Sequence, residues 1–328
     1  MSGNCVGIDL GGTNLVAGRV DASGRIQERK SIPTPVAEGA SRVIAAMGEL
    51  AGALRDRDTL AVGAVSPGLI DAERGVCIGA ACNIPGWEGM PLAAHLREAG
   101  GLPAFAENDG NAAALAEHWI GAARGARVAL MMTLGTGIGG GAVLEGRVFH
   151  GAGGIAAEFG HISIDYAGPK CPCGGTGCSE LYASANGLAR LAREAISKAS
   201  GARAEALLAL AGGKPSAVTA KHVCQAARAG DSLAAEALNR YTQALAATVA
   251  SLINAWNPDC IVIGGGLSLS WDLLEPLLTR ELRSGRALPV ALQMCRIVPA
   301  SLRDEAGIVG AAKVAWNGLS ASGSPRQS

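Results

Sequence analysis

The sequence has 328 residues, of which 49% are hydrophobic, 3% are aromatic and 47 are glycine. This length allows two domains of ordinary size with a sizeable core, and the composition is typical of a compact α/β protein with many tight turns. Lysine plus arginine and aspartate plus glutamate both number 28, so the formal net charge of zero argues against nucleic acid or an anionic membrane as the main partner.

No targeting or membrane segment is recognised. The N-terminus lacks a basic region followed by a long apolar run, and no stretch of about 18 apolar residues without charge occurs. The protein is therefore expected to be cytoplasmic. Six of the nine cysteines are scattered in mainly apolar segments, as reduced buried thiols are: Cys5, Cys77, Cys82, Cys224, Cys260 and Cys295.

A β-meander is predicted at the N-terminus, where apolar runs from Cys5 to Leu10 and from Leu15 to Val20 flank a glycine-rich turn. Backbone N–H groups in such a turn can reach an anion because glycine allows close approach. The residues of this turn are Gly11, Gly12, Thr13 and Asn14. Asp9 precedes the turn and could hold Mg²⁺ through water. A plain hairpin turn is the alternative interpretation.

A helix is predicted from Ser41 to Leu54 and a buried strand from Leu60 to Val65. A second strand then leads into Asn108 and Asp109, and the segment Ala-Ala-Ala-Leu-Ala-Glu-His-Trp-Ile-Gly that follows has helical spacing. Asp109 is thus expected at a helix N-terminus, where the helix dipole favours a carboxylate and keeps it ionised. A purely capping role for Asp109 is the alternative.

The first pattern is repeated about 125 residues later, with an apolar strand from Val128 to Leu134 followed by Gly135, Thr136 and Gly137. Two such hairpins from two similar domains could hold a polyphosphate from opposite sides. The second turn also fits the G-x-G-x-x-G pattern of dinucleotide-binding proteins. That interpretation is rejected because the pattern requires a helix after the turn, whereas this chain continues as strand and hairpin.

A metal site is predicted from three closely spaced cysteines and one upstream histidine: His161, Cys171, Cys173 and Cys178. Three thiolates and an imidazole are ligands that tetrahedral Zn²⁺ prefers, and four protein ligands leave no open position for water. The expected role is therefore structural, namely to pin a loop rich in glycine and proline. Incidental thiols in an ordinary loop are the alternative.

Two carboxylates, Glu158 and Glu180, flank the predicted metal ligands. Each carboxylate can accept two hydrogen bonds, so a pair held by a metal-stabilised loop is suited to bind neighbouring hydroxyl groups. A metal on one ring nitrogen of His161 would also orient the other nitrogen towards a substrate. Solvated surface acids are the alternative interpretation of the two glutamates.

The last third of the chain predicts helices from Asn186 to about Ser200 and from Ser232 to Trp256, followed by a buried strand from Cys260 to Ile263. A third glycine turn follows, formed by Gly264, Gly265 and Gly266. Such a turn allows a flat ring to lie against the backbone, although it also fits a plain connection to the helix that begins at Trp271. Residues 321–328 are predicted to be a disordered tail.

The chain resembles the ROK family of sugar kinases in six motifs that occur in the family's order from about Val6 to Ala312. They are Asp9-x-Gly11-Gly12-Thr13, Asn108-Asp109, Leu134-Gly135-Thr136-Gly137-x-Gly139-Gly140-Gly141, Glu158-x-Gly160-His161, Cys171-x-Cys173-Gly174-x-x-Gly177-Cys178-x-Glu180 and Gly264-Gly265-Gly266. The resemblance implies an α/β protein with an actin-like (ribonuclease H-like) two-domain ATPase fold. It also implies ATP and Mg²⁺ in the interdomain cleft, phosphorylation of a hexose at its 6-hydroxyl, and a homodimer.

Residue roles follow from the resemblance motif by motif. Asp109 is similar to the general base. The residues similar to sugar ligands are Gly68, Asn108, Asp109, Glu158, His161 and Glu180, so Asp109 is expected both to act as the base and to contact the sugar. The expected domains are a small one formed by residues 1–117 plus about 303–320, and a large one formed by residues 118–302. Repressors of the family carry a DNA-binding segment before the first hairpin, and only five residues precede Val6 here, so DNA binding is not expected.

Three functions remain open at this point. A glucokinase is the simplest, and a kinase for N-acetylmannosamine or N-acetylglucosamine would share every motif quoted above. A catalytically idle sugar sensor would need a damaged base or damaged phosphate turns, and these are intact. The group tolerated at carbon 2 of the sugar is shaped by loops around Ser66 to Asn83 and Gly151 to Ala156, whose packing the sequence does not give.

Overall fold

The computed structural model describes residues 3–79, 84–199 and 201–322 of the protein. Within these ranges the chain forms two compact units. Unit 1 takes its described residues from the segments Met1–Arg127, Gly141–Ala157 and Ser301–Ser328, and unit 2 takes its described residues from Val128–Gly140 and Glu158–Ala300. None of the helices in the described ranges combines the length and the apolar character of a membrane span.

The strands are given first, in chain order. They are β1 (Asn4–Leu10), β2 (Asn14–Asp21), β3 (Ile26–Pro33), β4 (Thr59–Ser66), β5 (Leu69–Asp71), β6 (Val76–Gly79), β7 (Ala104–Asn108), β8 (Val128–Leu134), β9 (Ile138–Leu144), β10 (Arg147–Val148), β11 (Cys260–Gly264) and β12 (Arg296–Pro299). The helices are α1 (Ala40–Leu54), α2 (Leu92–Gly100), α3 (Asp109–Trp119), α4 (Glu180–Ala183), α5 (Ala185–Lys198), α6 (Glu205–Leu210), α7 (Ala220–Arg228), α8 (Ser232–Trp256), α9 (Trp271–Glu281), α10 (Pro289–Met294) and α11 (Ala306–Ser322).

Unit 1 is built on a sheet with the strand order β3-β2-β1-β4-β7. Strands β1, β2 and β3 pair antiparallel, which confirms the predicted meander. Strands β4 and β7 both run parallel to β1. The carboxyl ends of these three parallel strands therefore lie at one edge of the sheet, and a short hairpin of β5 and β6 follows β4.

Strand β1 is buried on both faces, as its nearly continuous apolar sequence indicates. Val6 and Ile8 belong to a core cluster with α1 and α2, to which Met47 contributes. Cys5, whose side chain points to the opposite face, belongs to a second cluster with Ile308 of α11. Unit 1 is thus a sheet covered by helices on both faces.

Helix α11 approaches the sheet closely over a row of glycines. Gly18, Gly7 and Gly63 stand side by side on β2, β1 and β4. A Cβ atom at Gly7 would overlap with the carbonyl oxygen of Ile308, and one at Gly63 would overlap with that of Ala311. Without side chains at these positions, the helix backbone can rest directly on the strands.

Replacing Gly63 with alanine is expected to lower the free energy of unfolding by roughly 1–3 kcal/mol, because the new methyl group meets backbone that cannot rotate away. The matched control is Gly52→Ala in α1. An added Cβ there meets nothing within 4 Å, and alanine is favoured over glycine in a helix by about 1 kcal/mol. Thermal unfolding of both variants measures the contrast, and equal melting temperatures would contradict the close approach of α11.

Unit 2 contains β8, β11 and β12, which are parallel to one another. They belong to a sheet with the order β10-β9-β8-β11-β12, and the division of the chain between the units falls within β9, after Gly140. The long helix α8 buries the apolar stripe expected from the sequence, including Tyr241, Leu245 and Val249. It ends where Asn257 adopts a left-handed conformation directly before Pro258.

Most predicted elements are confirmed within one or two residues, and helix α8 has the predicted bounds. The strand β9 after the second glycine turn confirms that no dinucleotide-binding helix follows it. The predicted start of the C-terminal tail is wrong, because α11 continues to Ser322. Residues 323–328 of that predicted tail lie outside the described ranges, as does Cys82.

Candidate active site

The first glycine turn connects β1 to β2 as expected. The N–H of Gly11 donates to the carbonyl of Asn14 at 3.0 Å, and the hydroxyl of Thr34 donates to the carbonyl of Gly11 at 2.7 Å. Gly12 and Thr13 are exposed, and a Cβ at Gly12 would meet nothing within 4 Å. The tip of the turn is therefore open to a ligand on the surface of unit 1.

Asp9 lies one residue before the end of β1, where its surroundings disfavour the charged form of its carboxyl group. Burial is the main cause that raises its pKa to about 6, and the negative charge of Asp109 adds to the effect while Arg29 opposes it. Gly307, at the start of α11, packs so closely that a Cβ there would overlap with the Asp9 carboxylate. A cation beside Asp9 would relieve the repulsion between the two aspartates.

The junction of β7 and α3 lies where the sequence predicts it. Asn108 is the N-cap of α3, and its Oδ1 accepts from the N–H groups of Gly110 at 2.9 Å and Asn111 at 3.1 Å. Its Nδ2 donates to the carbonyl of Gly68 at 3.0 Å and to Oδ1 of Asp109 at 3.1 Å. Three predicted site residues, Gly68, Asn108 and Asp109, are therefore joined by hydrogen bonds.

Asp109 differs electrostatically from what its position at a helix N-terminus predicts. Part of the residue is exposed to solvent, yet the protein atoms around the carboxylate reduce its hydration. This desolvation raises the pKa of Asp109 and outweighs the hydrogen bonds from the Gly110 N–H and the Asn108 amide, which lower it. The sequence predicted only the favourable effect of the helix N-terminus on the carboxylate; desolvation opposes that effect, and the net shift of the Asp109 pKa is upward.

In unit 2, the second glycine turn is bound to the segment that carries Glu180. Glu180 is the first residue of α4, and its Oε2 accepts from the N–H of Ile138 at 2.9 Å. A Cβ at Gly137 would overlap with the same carboxylate, so glycine is required for this contact. The turn is also held by the N–H of Ala185, which donates to the carbonyl of Gly135 at 2.8 Å.

The third glycine turn lies beside the second. Gly264 on β11 pairs with Thr133 on β8, and a Cβ at Gly265 would meet the backbone N and O of Leu134 at 2.6 Å. Gly266 faces open space, because an added Cβ would meet nothing within 4 Å. Unit 2 thus presents two adjacent glycine turns, and the third turn is open to solvent at Gly266.

The four predicted metal ligands are brought together in unit 2. One donor atom from each of His161, Cys171, Cys173 and Cys178 lies within 4.8 Å of the others. The Sγ atoms of Cys173 and Cys178 are 3.6 Å apart, and Sγ of Cys171 is 3.9 Å from Nδ1 of His161. Zn–S bonds of about 2.3 Å in a tetrahedron place sulfur atoms about 3.8 Å apart, so the donor set fits Zn²⁺.

The orientation of His161 agrees with a dual role. Its Nδ1 faces the thiols, whereas its Nε2 lies 3.9 Å from Oε2 of Glu158. Gly160 lies between Glu158 and His161 in the chain. It packs so closely on the carbonyl oxygen of Ile138 that no side chain fits there. The segment that carries Glu158 and His161 therefore meets the same residue, Ile138, to which Glu180 is bound.

Two further contacts fix this segment. The buried hydroxyl of Ser179 donates to the carbonyl of Phe159 at 2.9 Å. The ring of Phe159 packs edge-on against Trp256, at the end of α8, with ring centroids 6.2 Å apart. The predicted sugar ligands of unit 2 thus stand on a frame held by a helix, a metal-ligand cluster and the second glycine turn.

Comparison with known proteins agrees with the family resemblance that these motifs carry. The model of the ROK family matches residues 5–317. The chain belongs to the ROK family. A glucokinase from Thermotoga maritima is 38% identical over 310 residues, which cover 94% of this chain and 96% of that protein. An N-acetylmannosamine kinase from Salmonella newport is 32% identical over 308 residues, which cover 94% of this chain and 97% of that protein.

The solved structures give the fold of this ROK-family protein. The crystal structure of a ROK family glucokinase from Streptomyces griseus, in complex with glucose and AMPPNP, matches with a TM-score of 0.79 and 34% identity. The match covers 96% of this chain and 100% of that chain. The actin-like two-domain sugar-kinase fold expected from the sequence is therefore confirmed.

Sequence reasoning missed several residues of this ROK-family site. Gly307, which packs on Asp9, and Ile138, to which Glu180 binds, were not singled out. The spacing Gly307-x-x-Gly310 in α11 was a signal for close helix packing. Nothing in the sequence marked the backbone N–H of Ile138, because a backbone donor leaves no trace in residue type.

Proposed function

We propose that this ROK-family protein is an ATP-dependent hexokinase that phosphorylates glucose at its 6-hydroxyl. The observation that carries the proposal is the convergence of candidate groups at one edge of the unit 1 sheet. Because β1, β4 and β7 are parallel, Asp9, Gly68 and Asp109 all follow or end strands at that edge. Such an edge is where open α/β sheets bind ligands.

Asp109 is the proposed general base. Transfer of the γ-phosphoryl group to a primary alcohol requires that a nearby group accept the hydroxyl proton as the new P–O bond forms. The carboxylate of Asp109 is held by the N–H of Gly110 at 2.8 Å and by the side chain of Asn108, so its orientation is fixed before the sugar binds. An acceptor within about 3 Å of the hydroxyl is what the reaction needs.

The remaining roles concern the nucleotide. The N–H groups of Gly11, Gly12, Thr13 and Asn14, and those of Gly135, Thr136 and Gly137, are proposed to bind its phosphates. Asp9 is proposed to hold Mg²⁺ through water, and the ion supplies positive charge that neutralises the transferred phosphoryl group. The turn of Gly264, Gly265 and Gly266 is proposed to lie against the adenine ring.

The residues proposed to bind the sugar are Gly68, Asn108, Asp109, Glu158, His161 and Glu180. Carboxylates can accept two hydrogen bonds from neighbouring hydroxyls, which discriminates a sugar from a simple alcohol. His161, Cys171, Cys173 and Cys178 would hold a structural Zn²⁺, which would fix the segments that carry Glu158 and Glu180. The distances between the donor atoms support this assignment.

The larger organisation is proposed from the family. Residues 1–117 with about 303–320 would form the small domain and residues 118–302 the large one, and the packing of α11 on β1 and β4 supports the first assignment. A homodimer working in the cytoplasm is proposed on the same basis. Size-exclusion chromatography with light scattering tests the oligomeric state.

Glucose is expected to give a higher kcat/KM than N-acetylmannosamine or N-acetylglucosamine, because the glucokinase relatives are more similar to this chain than the N-acetylmannosamine kinase is. A panel of hexoses in an ADP-release assay, with a blank lacking sugar, measures the preference. A clearly higher value for either N-acetylhexosamine would assign the alternative kinase activity. Glucose binding without any ADP release would indicate a sugar sensor instead.

A further inference from the structure

A buried carboxylate stands directly before the proposed catalytic residues. Glu107, in β7, has a side chain that is 3% exposed. Its Oε1 accepts from the backbone N–H of Asn108 at 2.9 Å and from Nδ2 of Asn111 at 3.1 Å. Its Oε2 lies 2.6 Å from Nε2 of His150. A carboxylate buried to this degree needs such partners, because an uncompensated charge is costly inside a protein.

His150 belongs to a closed loop that leads to the proposed sugar ligand Glu158. The N–H of Ala156 donates to the carbonyl of His150 at 3.1 Å, and Gly151 and Ala157 adopt left-handed conformations with φ of 68°. The loop is thus anchored at His150 in unit 1. One contact, from His150 to Glu107, joins it to the strand that ends at Asn108.

Three carboxylates act on His150, and one of them, Asp71, is itself paired with Arg74 at 3.8 Å. Glu107 faces it from β7, and Asp71 and Glu73 face it from the hairpin of β5 and β6. The hydrogen bond to Glu107 is the main cause that raises the pKa of His150, and partial burial opposes it. The ring stays in contact with solvent through a cavity of about 490 Å³ that Asp71, Glu73 and His150 help to line.

We propose that Glu107 and His150 form a positioning pair that holds Asn108 and Asp109 in their reactive arrangement, and that protonation of His150 strengthens this hold. Neither residue needs to touch the sugar. Glu107 fixes the backbone N–H of Asn108, whose side chain in turn binds Gly68 and Asp109. The inference rests on the proposed kinase function and deepens it, since it assigns a further pair of residues to that site.

The Glu107–His150 pair determines the direction in which kcat/KM should change with pH. Below its raised pKa, His150 is positively charged and compensates the buried charge of Glu107. As the pH rises through that pKa, the positive charge is lost and Glu107 is left with a neutral neighbour. We therefore expect kcat/KM for glucose to fall on the alkaline side as His150 loses its proton.

Two substitutions separate the hydrogen bond of His150 from its charge. His150→Gln can still donate an N–H to Glu107 but cannot titrate, so its alkaline decline should disappear. His150→Ala removes both the hydrogen bond and the charge. The resulting displacement of Asn108 and Asp109 is expected to lower kcat/KM by roughly 10- to 100-fold. The matched control is His95→Gln, which replaces an exposed histidine of α2 in the same unit and should keep the wild-type profile.

The experiment measures kcat/KM for glucose against pH in these four proteins, together with their melting temperatures. An unchanged alkaline decline in His150→Gln overturns the inference, as does a wild-type kcat/KM in His150→Ala. If His150→Ala does not fold, the profile of His150→Gln alone decides.

A second measurement does not depend on activity. The pKa of the His150 ring, followed by NMR, should fall in Glu107→Gln because the negative partner is gone. An unchanged pKa in that variant overturns the pair even if the enzyme is active. A wild type that phosphorylates no hexose overturns the proposed function instead, and the NMR titration still shows whether the pair exists.

Discussion

Replacing Asp109 with asparagine is expected to lower kcat by roughly 10²- to 10⁴-fold, with little change in the affinity for the sugar. Asparagine keeps the size and much of the hydrogen bonding of aspartate, but it cannot accept the proton of the 6-hydroxyl. The matched control is Asp58→Asn, which replaces an exposed aspartate of the same unit and should retain wild-type kcat. Steady-state kinetics and glucose binding by calorimetry measure both quantities.

The neighbouring acids provide a contrast for Asp109. Glu158→Gln and Glu180→Gln are expected to weaken sugar binding rather than to remove the proton acceptor. Desolvation by the surrounding protein atoms raises the pKa of Asp109, so the wild-type kcat should fall on the acid side as Asp109 takes up a proton, and this decline should be absent in Asp109→Asn. Near-wild-type kcat in Asp109→Asn would show that Asp109 is only a helix cap or a binding residue.

Loss of the proposed zinc site is expected to have the second large effect. Zinc-binding free energies of structural sites are on the order of 10 kcal/mol and act as folding energy for the loops they close. Cys178, which is 2% exposed, is a buried member of the cluster, so Cys178→Ser should lose the metal and the ordered frame beneath Glu158 and Glu180. Glucose affinity should fall with the zinc content.

Elemental analysis and calorimetry test this expectation together. The control is Cys224→Ser, which replaces a buried thiol in α7 outside the cluster and should retain both zinc and glucose binding. Purified wild-type protein that is fully active yet contains no zinc would contradict the proposal. Chelation of wild-type protein should reproduce the effect of Cys178→Ser.

The parts of the site that are local in sequence could be predicted from it. Asn108 and Asp109 predict a strand-to-helix junction because a capping residue precedes a run with helical spacing. The short spacing of the three cysteines predicts a cluster of metal ligands. The glycine turns are equally visible, since glycine is needed where the backbone must approach a ligand or another strand.

The parts that depend on distant contacts could not be predicted. Glu107 and His150 are 43 residues apart in sequence, and neither belongs to a periodic pattern that would connect them. The raised pKa of Asp109 depends on which protein atoms exclude water from its carboxylate, which residue types alone do not reveal. The row of Gly18, Gly7 and Gly63 becomes meaningful only once the register of three strands is known.

The packing of α11 on that glycine row has a consequence for biosynthesis. Nearly the whole chain separates Gly7 from Ile308, so a ribosome must translate through α11 before the sheet of unit 1 can be covered on that face. Unit 2, which ends at Ala300, can complete its fold earlier, and units of this kind generally fold as their last segment emerges. A chain truncated before Ala306 would therefore leave that face of the unit 1 sheet uncovered, and an open apolar sheet is the kind of surface that chaperones and proteases engage.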